Sequence, residues 1–495
     1  MNFLDAISLL PYLILLSGIL LLVLLISFVR GHQLTMLVSV FIIIATLMSI
    51  PYSLESRAGS VLGFMRLDGY TAFFNVLFLV SALVTVLLGK YYFNRRSGDQ
   101  DEFYLLLLIS TLGAMVLGAA EHFAAFLLGL EIMSISLYVI IAYPEEGNPP
   151  LEAALKYLVL SGVATTVMLF GMALLYNSTG TLVIAELGSS NNRGAMGIEL
   201  PYQDIFLIVG HGLLITGLAF KLSLVPMHMW TPDVVQGAPA PVAGYLATVS
   251  KASVFAFLMR YVLESGAISI AEVLQILAFF AVLSMVIGNF LALQQTNLKR
   301  LLGYSSIAHA GYLVITLIAA VTLVGVNQAV EAAMFYLAGY ALMTLTSFGV
   351  ISALSSGGEE KDAQDLTAYK GLFWRQPLLA TVFTISLLSL AGIPLTIGFV
   401  AKFYLFTAGI EGGLWVLVWT LVAGSAVAIY YYLRVILAMT ETVTANLGNL
   451  YIPSNSNILI LVLLGILLLA FGIYPMPLIE VTRSVLGTFS GFPVF

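Results

Sequence analysis

Apolar residues fill this chain in runs of about twenty, each closed by charge, proline, glycine or asparagine, and a helix needs about that many residues to cross a hydrocarbon core. Reading each run as one span predicts about fourteen membrane helices. They lie near 8–28, 34–52, 71–92, 104–120, 122–142, 154–176, 203–230, 239–263, 271–294, 301–323, 330–354, 378–410, 413–438 and 456–474. The longest polar connections, near 177–202, 355–377 and 439–455, leave no room for an extramembrane domain. The expected fold is therefore all-α and polytopic, a single membrane domain over 1–495. The first run, Ile7 to Val29, is too long for a signal peptide and no basic stretch precedes it, so it reads as a retained helix.

Composition narrows the chemistry. Of 495 residues, 60% are hydrophobic and 9% charged, which excludes a water-soluble domain of this length. The absence of cysteine excludes disulfides, thiol chemistry and iron–sulfur clusters ligated by this chain. Five histidines in five separate segments show no metal-ligand spacing, and neither a phosphate-binding loop nor a dinucleotide fingerprint is present. No basic patch points to nucleic acid.

The 19 basic residues sort by connection. Connections that follow odd-numbered helices carry Arg30, Lys90, Arg95, Arg96, Lys299, Arg300, Lys361, Lys370, Arg375 and Arg434; the opposite side carries Arg57, Arg66, Arg193, Arg260 and Arg483. The positive-inside tendency makes the odd connections cytoplasmic and puts both termini on the outer, periplasmic face. Four basic residues remain within apolar segments, and all are lysine: Lys156, Lys221, Lys251 and Lys402. A charge at a helix centre costs roughly 2.5–3.5 kcal/mol on insertion scales, and lysine, unlike arginine, can release its proton when desolvated. The one carboxylate that looks comparably deep is Glu131, on the fifth helix.

Each of these has a plain reading beside the functional one. Lys156 follows Glu152 by four residues and can form a surface pair; Lys402 can snorkel. Lys251 is too central to snorkel. His309 has Ser305 and Tyr312 one turn to either side, a stripe that can hold water and relay protons or merely pack. His228 lies just beyond Pro226, and His211, Thr248, Ser250 and Asn289 are polar positions that can serve packing alone.

Pro226 follows Lys221 by five residues, and Pro394 precedes Lys402 by eight. Prolines inside membrane helices free backbone groups, which are tolerated where they line a cavity, and paired interruptions mark transport sites between internal repeats. Helices four to eight (104–263) form one five-helix unit, with helix 7 broken, and helices nine to thirteen (271–438) the other, with helix 12 broken. An odd number of spans per unit makes the repeats inverted. Helices one to three (1–100) and the last helix with the C-terminus (456–495) flank them.

Four stretches, LLGLEIMSISLY, KLSLVPMHMWTPDVVQGAPAPV, TNLKRLLGYSSIAHAGY and SLAGIPLTIGFVAKFY, closely resemble the antiporter-like membrane subunits of respiratory complex I, which share ancestry with multisubunit sodium/proton antiporters. The resemblance spans nearly the whole chain. Lysine at 402, where the M type carries glutamate, an end soon after the fourteenth helix, unlike the L type, the phrase GAPAPV and the length suit the N type.

The resemblance implies a proton-translocating subunit of a bacterial NADH:quinone oxidoreductase in the cell inner membrane. In it Glu131 and Lys221 face each other, Lys156 is a sixth-helix lysine, Lys251 is the connecting lysine, His309 lies on the central axis and Lys402 ends the line. FMN, iron–sulfur clusters and quinone would reside in partner subunits, with M- and L-type antiporter-like chains, small membrane subunits and phospholipid as neighbours. A sodium/proton antiporter subunit is the alternative. A small-molecule transporter would need a roomier polar site, and a passive scaffold would not need the lysines.

Overall fold

The computed structural model describes residues 3–55, 59–61, 63–94, 100–143, 148–188, 203–267, 271–320, 325–355, 362–442 and 454–486. It is almost entirely helical. The spans are α1 (Leu10–Phe28), α2 (His32–Glu55), α3 (Gly69–Phe93), α4 (Asp101–Ala119), α5 (Phe123–Ala142), α6 (Asn148–Thr179), α7 in two pieces, α7a (Gln203–Leu222) and α7b (Trp230–Gly237), and α8 (Ala240–Glu264). They continue as α9 (Ala271–Leu293), α10 (Leu298–Ala319), α11 (Val326–Ser355), α12a (Pro377–Ala391), α12b (Ile397–Glu411), α13 (Trp415–Thr440) and α14 (Asn455–Ile473), with a short amphipathic α15 (Met476–Leu486). Among the described residues, 13 helices are long and apolar enough to cross a membrane. The break in the twelfth span leaves α12a with only 15 residues.

All fourteen predicted spans are present, and both predicted interruptions fall where the prolines place them. The largest difference in a start is at α6, which begins at Asn148 rather than near 154. Pro149 and Pro150 stop a helix from continuing into them but suit its first turn, where the missing N–H has no partner to lose. Side-chain caps fix other starts: Asp68 accepts from Thr71 N at 2.8 Å, and Asn297 accepts from Arg300 N at 3.1 Å. A hairpin, β1 (Ser60–Val61) against β2 (Met65–Arg66), lies between α2 and α3.

Lipid is as apolar as leucine, so membrane helices associate through close packing rather than hydrophobic burial. At the α4–α5 crossing a Cβ on Gly113 would lie 2.5 Å from Met133 N, and one on Gly129 would lie 2.6 Å from Leu117 N. Gly288 and Gly311 do the same work between α9 and α10. Helices α8, α10 and α11 are wholly or nearly wholly buried, whereas α1, α6, α13 and α14 each bury less than half of their residues. The interior is thus built on α8 and α10.

Ion pairs test the alternation of the spans. On the odd connections Lys156 and Arg300 both hold Asp233, at 2.9 and 2.5 Å, Lys299 holds Asp362 at 2.7 Å and Arg30 reaches Glu102 at 3.3 Å. On the even connections Arg66 bridges Glu121 and Glu264, both at 2.6 Å, Arg260 holds Asp68 at 3.1 Å and Arg483 holds Glu331 at 3.1 Å. Among the described residues no ion pair joins an odd connection to an even one, as two opposite ends require. Arg57, Arg95, Arg96, Arg193 and Lys361 lie outside the described residues.

Arg260 is fully buried, bonded to Asp68 and the Thr71 hydroxyl and stacked 5.2 Å over the Tyr70 ring. Arg260→Ala leaves buried carboxylates uncompensated and is expected to destabilise the fold by about 3–5 kcal/mol, against at most about 1 kcal/mol for Arg483→Ala, whose partner is reached from an exposed position. Thermal denaturation of the two detergent-extracted variants checks the difference.

Candidate functional site

Lys221 is the penultimate residue of α7a and is fully buried. Beyond Leu222 the chain leaves the helix: Ser223 takes φ 65°, Leu224 N donates back to Ala219 O at 2.8 Å, and a cis Val225–Pro226 bond leads toward α7b. The groups this break releases are held by protein. Phe220 O accepts the Trp230 indole N–H at 3.0 Å, Val225 N donates to Ser284 Oγ of α9 at 2.8 Å, and the Thr231 hydroxyl donates to Ser223 Oγ at 2.6 Å. That is how a broken helix survives in hydrocarbon.

The Lys221 ammonium donates to Ser134 Oγ of α5 at 2.7 Å and to Ser161 Oγ of α6 at 2.5 Å. Its Nζ lies 5.8 Å from the centre of the Tyr157 ring. Glu131, one turn before Ser134, accepts the Thr165 hydroxyl at 2.9 Å, and Thr165 is one turn after Ser161. Carboxylate and ammonium therefore occupy adjacent hydroxyl rungs between α5 and α6. They form no direct ion pair among the described residues, yet Glu131 is near enough for its charge to act on Lys221. Sequence alone suggested a deep acid facing the lysine. The structure makes Glu131 only half-buried.

Lys251 follows a π turn, Leu246–Ser250, within α8. It donates to Ser306 Oγ at 2.9 Å and to Ser306 O at 3.3 Å on α10. One turn further along α10, His309 Nδ1 pairs with the Tyr336 hydroxyl at 2.7 Å, its ring packed against Tyr312 and Tyr340. The charges of Lys251 and Lys402 both act on His309. Lys402, on α12b, donates to Ala391 O at 2.9 Å, the carbonyl at the end of α12a, and sits 5.4 Å from the Tyr312 ring centre. Gly392 has φ 86°, and a Cβ there would lie 2.8 Å from Lys402 Cδ, so the lysine's place depends on glycine twice over.

The stripe on α10 differs from the predicted one. Ser305 faces away, paired with the Tyr432 hydroxyl of α13. Ser306 takes its place, so that Ser306, His309 and Tyr312, three residues apart, run from Lys251 toward Lys402. Tyr312 also accepts from Asn289 Nδ2 at 2.9 Å, and Asn289 Oδ1 accepts from Tyr431 at 3.1 Å. Sequence reasoning passed over Ser306 because two adjacent serines carry the same signal.

Lys156 stands apart from this line. Its side chain is 42% exposed and joins Glu152, at 2.7 Å, and Asp233 in a surface cluster with Arg300, as the plain reading supposed. His228 is buried in the α7 break, where its Nδ1 makes no hydrogen bond among the described residues. His211 pairs with the Tyr261 hydroxyl. Nor is Glu131 the sole deep acid: Asp68, Glu121, Glu264 and Asp362 are more buried, but each lies at an end of the bundle against an arginine or lysine. Lys221, Lys251 and Lys402 have no carboxylate salt-bridge partner among the described residues, only neutral oxygens.

Residues 120–428 match the family model described as NADH:quinone oxidoreductase/Mrp antiporter, transmembrane. The chain is 45% identical over 482 residues, 97% of its length and 95% of the relative's, to the NADH-quinone oxidoreductase subunit N of Methylococcus capsulatus. It is similar to a chain of respiratory complex I from Thermus thermophilus, with TM-score 0.78 and 34% identity over 95% of this chain and 98% of that one. A chain of the Mrp complex from Dietzia shares the fold, with TM-score 0.83 and 17% identity over 99% of this chain and 98% of that one. With the broken helices and buried lysines in place, this multi-pass membrane chain belongs to the antiporter-like, proton-translocating membrane-arm subunits of NADH:quinone oxidoreductase, in their subunit N branch.

Proposed function

We propose that this subunit moves protons along Lys221, Lys251, His309 and Lys402, driven by electron transfer in other subunits. The observation that carries the route is the α10 stripe, which places Ser306 on Lys251, at 2.9 Å, and Tyr312 under Lys402, at 5.4 Å, with His309 between. Serine and tyrosine hydroxyls both donate and accept, so such a stripe can pass a proton without itself becoming charged.

Glu131 sets the first step. While its carboxylate is near, the charge on Lys221 is stabilised; when the carboxylate is drawn off, passage of the proton toward Lys251 is favoured. Lys156, Glu152 and Asp233 would form the inner mouth, with His228 in the break beside it, and Lys402 would release toward the outer face. The breaks at Pro226 and Pro394 would occupy equivalent places in two inverted five-helix repeats, 104–263 and 271–438. Electrons would pass from NADH through FMN and iron–sulfur clusters to quinone in partner subunits, this chain contributing no cysteine to any cluster. M- and L-type antiporter-like subunits, small membrane subunits and phospholipid would surround it in the bacterial inner membrane, with both termini on the periplasmic side.

The Mrp-like fold supports a second reading, exchange of sodium for protons. Inverted vesicles bearing the assembled complex separate the two, since proton pumping at an unchanged rate in sodium-free buffer is expected, and a strict sodium requirement would overturn the proton reading. In the same vesicles Lys251→Ala is expected to lower NADH-driven proton uptake by about a hundred-fold, as loss of a proton-transfer group does. Lys156→Ala, which leaves Glu152 and Asp233 at the mouth and removes exposed ion pairs, is expected to keep about half or more. A native gel confirms that each variant assembles.

A further inference from the structure

Lys221 and Lys251 share no hydrogen-bond partner among the described residues. The first is held by Ser134 and Ser161, the second by Ser306 of α10. Something must connect them, and two side chains near the lysines carry a hydroxyl with no hydrogen bond among the described residues. Tyr157 of α6 is fully buried, its ring stacked on Trp230 at 4.6 Å, edge-on to Tyr138 at 5.0 Å and 5.8 Å from Lys221 Nζ. Its hydroxyl makes no hydrogen bond among the described residues. Ser250, next to Lys251 in the chain and buried, likewise has an unbonded hydroxyl. The two hydroxyls are close enough to act on each other.

A buried hydroxyl left unbonded is costly, and two of them close together is an arrangement that packing alone does not require. The π turn at Leu246–Ser250 adds to this. It widens α8 just before Lys251 and ends at Ser250, and π turns inside α-helices are frequent at functional sites.

We propose that Tyr157 and Ser250 form the bridge by which a proton passes from Lys221 to Lys251. The proposal rests on the lysine relay above. One proton leaves the Lys221 ammonium, through a water at that end, for the Tyr157 oxygen as the phenol's own proton leaves for Ser250. Ser250 in turn gives its proton to the Lys251 amine. Each hydroxyl ends with one hydrogen, as it began, and one positive charge has moved between the lysines. Tyr157 stays a neutral phenol throughout.

The test uses the assembled complex in inverted vesicles, with proton uptake and NADH oxidation followed together. Tyr157→Phe keeps the ring on Trp230 and removes only the hydroxyl; Ser250→Ala removes the other hydroxyl, and Ser250→Thr restores one. Tyr157→Phe and Ser250→Ala are each expected to lower proton uptake at least about ten-fold, with Ser250→Thr near the parent. Parental uptake in both Tyr157→Phe and Ser250→Ala overturns the bridge, as does equal loss in Ser250→Thr and Ser250→Ala, which assigns the effect to packing. Lys251→Ala run alongside keeps the two ideas apart, because parental uptake there overturns the relay itself. Should Tyr157→Phe fail to assemble, the Ser250 pair decides.

Discussion

Hydrocarbon gives a buried ammonium no water to bind, so every cation inside this bundle must be met by protein oxygen, and two kinds of oxygen are used. At the ends of the bundle the partner is a carboxylate: Asp68 for Arg260, Asp362 for Lys299. Along the interior it is a neutral atom: Ser134 and Ser161 for Lys221, Ser306 for Lys251, Ala391 O for Lys402. The consequences differ. A carboxylate fixes the charge where it is, since removing the proton would strand a buried anion. A hydroxyl can accept from an ammonium and, turned about, donate to an amine, so it serves the lysine in either state. Fixed charges hold each end of the bundle together, and neutral ligands leave the axial lysines free to exchange protons.

The two helix breaks look alike in sequence but supply different things. In α12 the lysine comes after the break and binds the carbonyl the break exposes, with Gly392 making room. In α7 the lysine comes before the break, and the carbonyl of Phe220 accepts from Ser223 N and from the Trp230 indole instead. Trp230 thereby ties α7b back onto α7a and stacks under Tyr157. The first break thus organises aromatic side chains around its lysine, and the second offers backbone directly.

How much of this could be read from the chain follows from the same physics. Span number, the two interruptions and the sorting of loop charges were all legible, because hydrocarbon punishes charge and unpaired backbone wherever they occur. Facing was not. Residues that touch lipid and residues that touch helices are equally apolar here, so periodicity carries no inward direction. That is why Glu131 and Lys156 both looked deeper than they are, why Ser305 was chosen over Ser306, and why Tyr157 was invisible among 24 tyrosines. Buried polarity announced itself most plainly where the residue was a lysine or a histidine.

The wholly buried α8 shows what that hidden facing must satisfy. Along its length Tyr245 meets the Thr111 hydroxyl of α4 at 2.9 Å, Lys251 meets Ser306 of α10, and Arg260 meets Asp68 and Tyr70 of α3. A regular helix turns about 100° per residue, and three partners in three directions at fixed spacing overdetermine it. The π turn lies between the first and second of these contacts, where one extra residue in the turn re-aims everything that follows. A helix that served only packing would not need the adjustment. One that must present Lys251 to α10 while Arg260 stays locked to α3 does.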